Sequence, residues 1–114
     1  MQNLIHKITT LSDSIRYIAI YTNQKLESWQ RDNLNDSSSS DSDVYEELLV
    51  NPTILKIARQ RGDIDCGGLD FVIIKYGNFY QLVREFQDGH ISICIDQSVN
   101  PIEIEKKVNS ILNI

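Results

Sequence analysis

The chain has 114 residues, 41% of them hydrophobic and 24% charged, and a net charge of −5. That length can bury one core without staples, and no stretch approaches the ~20 apolar residues of a membrane span. An acidic balance with no run of Lys or Arg argues against nucleic acid as a partner.

Taken in order, residues 2–14 are expected to be helical, with Leu4, Ile5, Ile8 and Leu11 on one stripe and His6 off it. From Ile15 the period shifts to two. Residues 15–21 are apolar on both sides apart from Arg16, which predicts an interior strand. After a turn at Thr22-Asn23-Gln24, residues 25–31 are mostly polar and fit an edge strand, with Trp29 as a partial anchor. Residues 32–43, with Ser37 to Ser40 flanked by Asp36, Asp41 and Asp43, form a low-complexity acidic loop expected to be solvated. Its spacing does not match a calcium-binding loop. Helix returns at Val44, with Tyr45, Leu48 and Leu49 as its apolar face. Asn51 is expected to cap a renewed helix with Pro52 at its first position, buried through Ile54, Leu55, Ile57 and Ala58 and ended by Gly62.

Three strand-like runs follow, residues 69–76, 79–86 and 90–95, dense in β-branched and aromatic side chains. Gly77-Asn78 suits a two-residue turn with glycine at positive φ, and Asp88-Gly89 gives the second turn signal of a meander. Tyr76 is expected opposite Phe79, and Gln87 opposite His90. One face then collects Phe71, Ile73, Tyr80, Leu82, Phe86, Ile91, Ile93 and Ile95, interrupted by Lys75 and Arg84. The other carries Val72, Ile74, Tyr76, Phe79, Val83 and Cys94, diluted by polar residues including Gln81 and Ser92. Both are apolar enough to predict helices on each side. Asn100-Pro101 with Glu103 starts a last helix, with Ile104, Val108, Ile111 and Leu112 inward and Glu103, Glu105, Lys106, Lys107 and Asn109 toward water.

This order is similar to the roadblock/LC7 domain, the family of the dynein light chain and of several GTPase-associated dimerisation proteins. The strand at 15–21, the amphipathic helix around 48–58, the meander at 71–95 with Asp88-Gly89 and the closing helix from Pro101 carry the resemblance. It spans residues 1–114 as a single domain and rests on topology and apolar pattern. The family's first hairpin often turns on Asp-Gly, where this chain has Asn23-Gln24, and the serine-rich loop is longer than the usual connection. The resemblance implies an α+β fold of order α-β-β-α-β-β-β-α. Its five-stranded antiparallel sheet would run 2-1-5-4-3, with the middle helix on one face and the terminal helices on the other. It also implies a dimer, with itself or with a paralogous roadblock-like chain. The interface would be built from Ile54, Leu55, Ala58, Arg61, Asp70, Val72, Ile74 and Tyr76. A long apolar edge strand needs such cover in any case.

The function implied is a non-catalytic dimerisation and regulatory module that binds or regulates a small GTPase-like partner, or scaffolds a signalling complex. Arg59, Arg61 and Arg84 are the arginines such a role could use. The alternative is a small-molecule sensor with a pocket between sheet and helix, lined by Tyr17, Tyr76, Phe79 or Tyr80; a third is an adaptor acting through the acidic loop. No catalytic, cofactor or metal site is expected. His90 is expected as a solvent-exposed turn residue, Cys94 as an inert mid-strand thiol, and Cys66 with Asp63 and Asp65 lacks further ligands at metal spacing. Neither cysteine has a staple-like partner, and the N-terminus has no basic region leading into a long apolar run. Reduced thiols and a cytoplasmic setting are expected.

Overall fold

Residues 1–32, 34 and 39–112 are described by the computed structural model of the chain. The five strand-like runs pair into one antiparallel sheet in the expected order, β2-β1-β5-β4-β3. Its strands are β1 (Ile15–Thr22), β2 (Lys25–Gln30), β3 (Val72–Lys75), β4 (Phe79–Phe86) and β5 (Gly89–Asp96). Helices α1 (Gln2–Thr9) and α4 (Pro101–Leu112) cover one face; α2 (Ser40–Tyr45) and α3 (Asn51–Asp65) run over the other. No helix among the described residues is long and apolar enough to cross a membrane.

The two faces differ in chemistry. Ile5 and Ile8 of α1 and Ile104 and Val108 of α4 close over Ile18, Ile20, Leu82, Ile91, Ile93 and Ile95, a hydrocarbon core of stiff branched side chains. Arg84 points into this layer as the sequence anticipates, and Glu105 turns inward rather than toward water to meet it, Nη1 to Oε1 at 2.9 Å. Under α3 the buried set is instead polar: Glu47, Asn51, Gln81, His90 and Ser92, beside Tyr17, Ala19 and Cys94.

Turn chemistry departs from expectation in two places. Phe86 pairs with Gly89, with Gln87 at φ 52°, so the β4–β5 register is displaced from the expected Gln87–His90 pairing. The displacement is even, and every side chain keeps its face. Gly89 sits inside β5 because any Cβ there would collide with the Tyr21 carbonyl of β1. Among the described residues the glycines at positive φ are Gly67 and Gly68, not Gly77, although Tyr76 still donates to the Phe79 carbonyl at 3.0 Å. Gly62 does not end α3. It is buried one turn earlier, where its carbonyl accepts from Cys66 and Gly68 and a Cβ would lie 2.5 Å from the Gly68 oxygen.

Helix limits also shift. α1 stops at Thr9, where Thr9 and Thr10 hydroxyls return to the carbonyls of His6 and Lys7. Asp41 and Asp43 belong to α2, which starts on a Ser39 cap accepting from the Ser42 amide. The rest of the expected acidic loop, residues 33 and 35–38, lies outside the described residues.

Candidate functional site

Two backbone irregularities face each other across the polar layer. In β1 the register against β5 slips between Ile15 and Tyr17, leaving Arg16 as the extra residue of a bulge. Two residues that strict alternation would put on one side are thereby separated: Ile15 enters the hydrocarbon core and Tyr17 turns to the α3 side. The sequence pattern, apolar at both positions, could not show this.

Opposite, residues Glu46–Val50 form a π turn that makes α2 and α3 continuous. The Asn51 amide reaches back to the Glu46 carbonyl, one residue further than in an α-helix. Pro52 supplies the reason. Its ring clashes with the carbonyl four residues earlier and it has no N–H to give, so the helix widens by one residue ahead of it instead of restarting. Asn51 is therefore no cap; it is fully buried. The inserted residue rotates the helix by about 100°, so Glu47 takes the inward position while Tyr45, Leu48 and Leu49, expected inside, are exposed.

Glu47 is 0% exposed and His90 is 1% exposed, not a turn residue in water. The Glu47 carboxylate accepts from His90 Nε2 at 2.8 Å and from Asn51 Nδ2 at 2.9 Å, both on Oε1. Its Oε2 accepts nothing, and neither does Asn51 Oδ1. Gln81 donates to Ser92 and accepts from the Cys94 thiol at 2.9 Å, which completes a polar row across β4 and β5.

Between this row and the π turn lies a cavity of about 330 Å³. Tyr17, Tyr76 and Phe79 line it as the pocket alternative anticipates, and Tyr45, Glu46, Glu47, Gln81 and Cys94 complete the chemistry. Tyr80 does not take part; it packs on the hydrocarbon face. Tyr76 donates its hydroxyl to Glu46 Oε1 at 3.0 Å, while Glu46 Oε2 is buried and unpartnered. Burial, and then Glu47 and Asp43, hold the Tyr17 hydroxyl well above the usual phenol range. Burial and Glu46 push Tyr76 up to about 12. The Cys94 thiol is raised by burial and by Glu47, which leaves it protonated and a poor nucleophile. Burial likewise raises Glu46, against the opposing pull of the Tyr76 hydrogen bond. The carboxylates of Glu46, Glu47 and Asp43 act on the cavity's hydroxyls and thiol together, with Arg16 opposing them at Cys94.

The residues expected at a dimer interface fall along one edge. β3 has β4 on one side and no strand on the other among the described residues. α3 and the π turn are tied alongside it at both ends, through Tyr76 to Glu46 and through Arg59 Nη2 to the Leu69 carbonyl at 3.3 Å. Ile54, Ala58, Val72, Ile74 and Tyr76 are half-buried there, and Arg61 and Asp70 are exposed. Leu55 turns inward and is buried within the protomer. Ile57, expected in the buried face, is 62% exposed and Ile64 is 75% exposed. Of the three arginines, Arg59 is held by Glu85 and Asp63, Arg84 by Glu105, and exposed Arg61 lies 2.7 Å from Asp65. No group of three or more His, Cys, Asp or Glu side chains among the described residues is placed to hold a metal ion. No protein-family model and no curated protein matches this chain.

Proposed function

We propose that this protein is a non-catalytic dimerisation module that pairs β3 and α3 with a second copy of itself and serves as a regulatory scaffold. The observation that carries it is the α3 face Ile54, Ile57, Ala58, Arg61 and Ile64. It leaves two isoleucines in water, and the aliphatic strand β3 has an open edge among the described residues. Burying one exposed isoleucine contributes on the order of 1.5–3 kcal/mol, and pairing β3 satisfies its outward N–H and C=O groups. The opposite edge, β2, is KLESWQ and largely polar, which suits an edge that stays free.

A two-fold perpendicular to the sheet keeps each face continuous, so opposed residues must share a face. A register centred on Ile73 meets this and sets Val72 of one copy against Ile74 of the other. The partner class implied by the resemblance, a small GTPase-like protein, would bind the dimer as a scaffold. The capture of Arg59 and Arg84 by intramolecular carboxylates favours scaffolding over donation of an arginine.

Light scattering on the purified chain tests the dimer. The expected mass is twice 13.1 kDa, with Ile57→Glu and Ile74→Asp each giving a folded monomer. A monodisperse wild-type monomer at high micromolar concentration overturns the proposal. So does a dimer that both substitutions leave intact.

A further inference from the structure

We propose that the cavity between the π turn and the sheet is a binding site for a small organic cation, a primary ammonium or guanidinium carried on a short apolar body. The argument begins with hydrogen-bond supply. On the cavity lining the Tyr76 hydroxyl is given to Glu46, the Gln81 amide to Ser92 and the Cys94 thiol to Gln81. Acceptors are left over. Glu46 Oε2 is buried and accepts nothing; Glu47 Oε2 is buried with the Tyr17 hydroxyl turned toward its carboxylate but outside bonding geometry, and the Glu47 side chain is wholly enclosed. An orphaned buried carboxylate oxygen is costly unless a donor meets it, and a cation is the donor that meets two of them best.

The walls fit the same ligand. Tyr17, Tyr45, Tyr76 and Phe79 surround the acidic floor, and aromatic faces attract ammonium and guanidinium groups through their quadrupoles. The wall already takes one such group: the Arg16 guanidinium lies 5.7 Å from the Phe79 ring centroid. An anion would meet Glu46, Glu47 and Asp43 together, and a neutral ligand would leave the carboxylates unanswered. A volume of about 330 Å³ is at the small end for ligand pockets. It admits a small aryl- or alkylamine and excludes a nucleotide. Burial first, and the neighbouring carboxylates after it, raise Tyr17, Tyr76 and Glu46 in the same cavity.

The two irregularities then have a joint purpose. Without the bulge at Arg16, Tyr17 would lie on the other face; without the π turn, Glu47 would not face the sheet. Both devices recur where a chain re-aims side chains at a site.

Phenethylamine, 2-phenylethanol and 3-phenylpropionate have similar bodies and carry a cation, a neutral hydroxyl and an anion. Each is titrated into the full chain and followed by amide NMR shifts. The amine is expected to saturate, moving Tyr17, Glu47, Tyr76, Phe79 and Cys94, with the alcohol at least tenfold weaker and the anion silent. Glu46→Gln keeps an acceptor for Tyr76 at a half-exposed position, so the fold survives; it should weaken the amine at least tenfold. Glu47→Gln should do the same, read where the spectrum stays dispersed. Equal binding of amine and alcohol overturns the proposal, as does amine binding unchanged in Glu46→Gln. Absence of saturable shifts at these residues with the amine also overturns it. Oligomeric state does not enter this readout, so failure of the site and failure of the dimer are separable.

Discussion

His90→Leu removes the Nε2–H that Glu47 accepts at 2.8 Å and leaves a wholly buried carboxylate with Asn51 as its donor. Removing one partner of a buried, hydrogen-bonded carboxylate costs about 3–5 kcal/mol, because the carboxylate keeps its desolvation cost and loses a donor. A domain of this size has about 5–15 kcal/mol of stability, so the variant forfeits a large share. With a urea slope of about 1–3 kcal/mol/M, the unfolding midpoint should fall by roughly 1–5 M. Replacing both partners with leucine removes the charge together with its partner and keeps apolar volume. The double variant should return to within about 1–2 kcal/mol of wild type. The coupling in the double-mutant cycle should then exceed about 1.5 kcal/mol. Urea unfolding followed by circular dichroism measures all four chains. A His90→Leu cost under about 1 kcal/mol would refute the view that the buried Glu47 side chain is held by His90. Costs that simply add in the double variant would refute it too.

Three further outcomes follow from the same geometry. Tyr17 and Tyr76 are raised in the folded chain, so it keeps those protons to higher pH than the unfolded chain does. This term leaves stability unchanged below about pH 10 and removes it as pH climbs above that toward about 12. A phenolate absorbance titration should show two late tyrosines, and the Tyr17→Phe, Tyr76→Phe double variant should lose that step. Gly89→Ala places a methyl against the Tyr21 carbonyl, where rigid backbone must move, and should cost at least about 1–3 kcal/mol in thermal or urea unfolding. Cys66 is exposed and Cys94 buried, so a thiol reagent should modify one equivalent in the folded chain and a second only on unfolding.

Local pattern was sufficient for the sheet. The strand runs at 15–21 and 79–95 and the Asn100-Pro101 start each state a geometry that depends on near neighbours, and the structure follows them in strand order and helix start, while the turns at Gly77 and Asp88-Gly89 and the bulge at Arg16 depart from it. The register error at Gln87 was harmless for the same reason: an even displacement preserves faces. The cavity was legible in three of its aromatic residues, Tyr17, Tyr76 and Phe79, and illegible in its carboxylates. Glu47 and His90 stand 43 positions apart, and each alone resembles a surface residue. Their burial depends on one extra residue in a helix turn ahead of Pro52 and one in a strand at Arg16. Each insertion costs hydrogen-bond regularity locally, and it is the packing of helix against sheet that holds both in place. Side-chain period determines which residues share a face; where that period is broken, the facing residues are decided by tertiary contact.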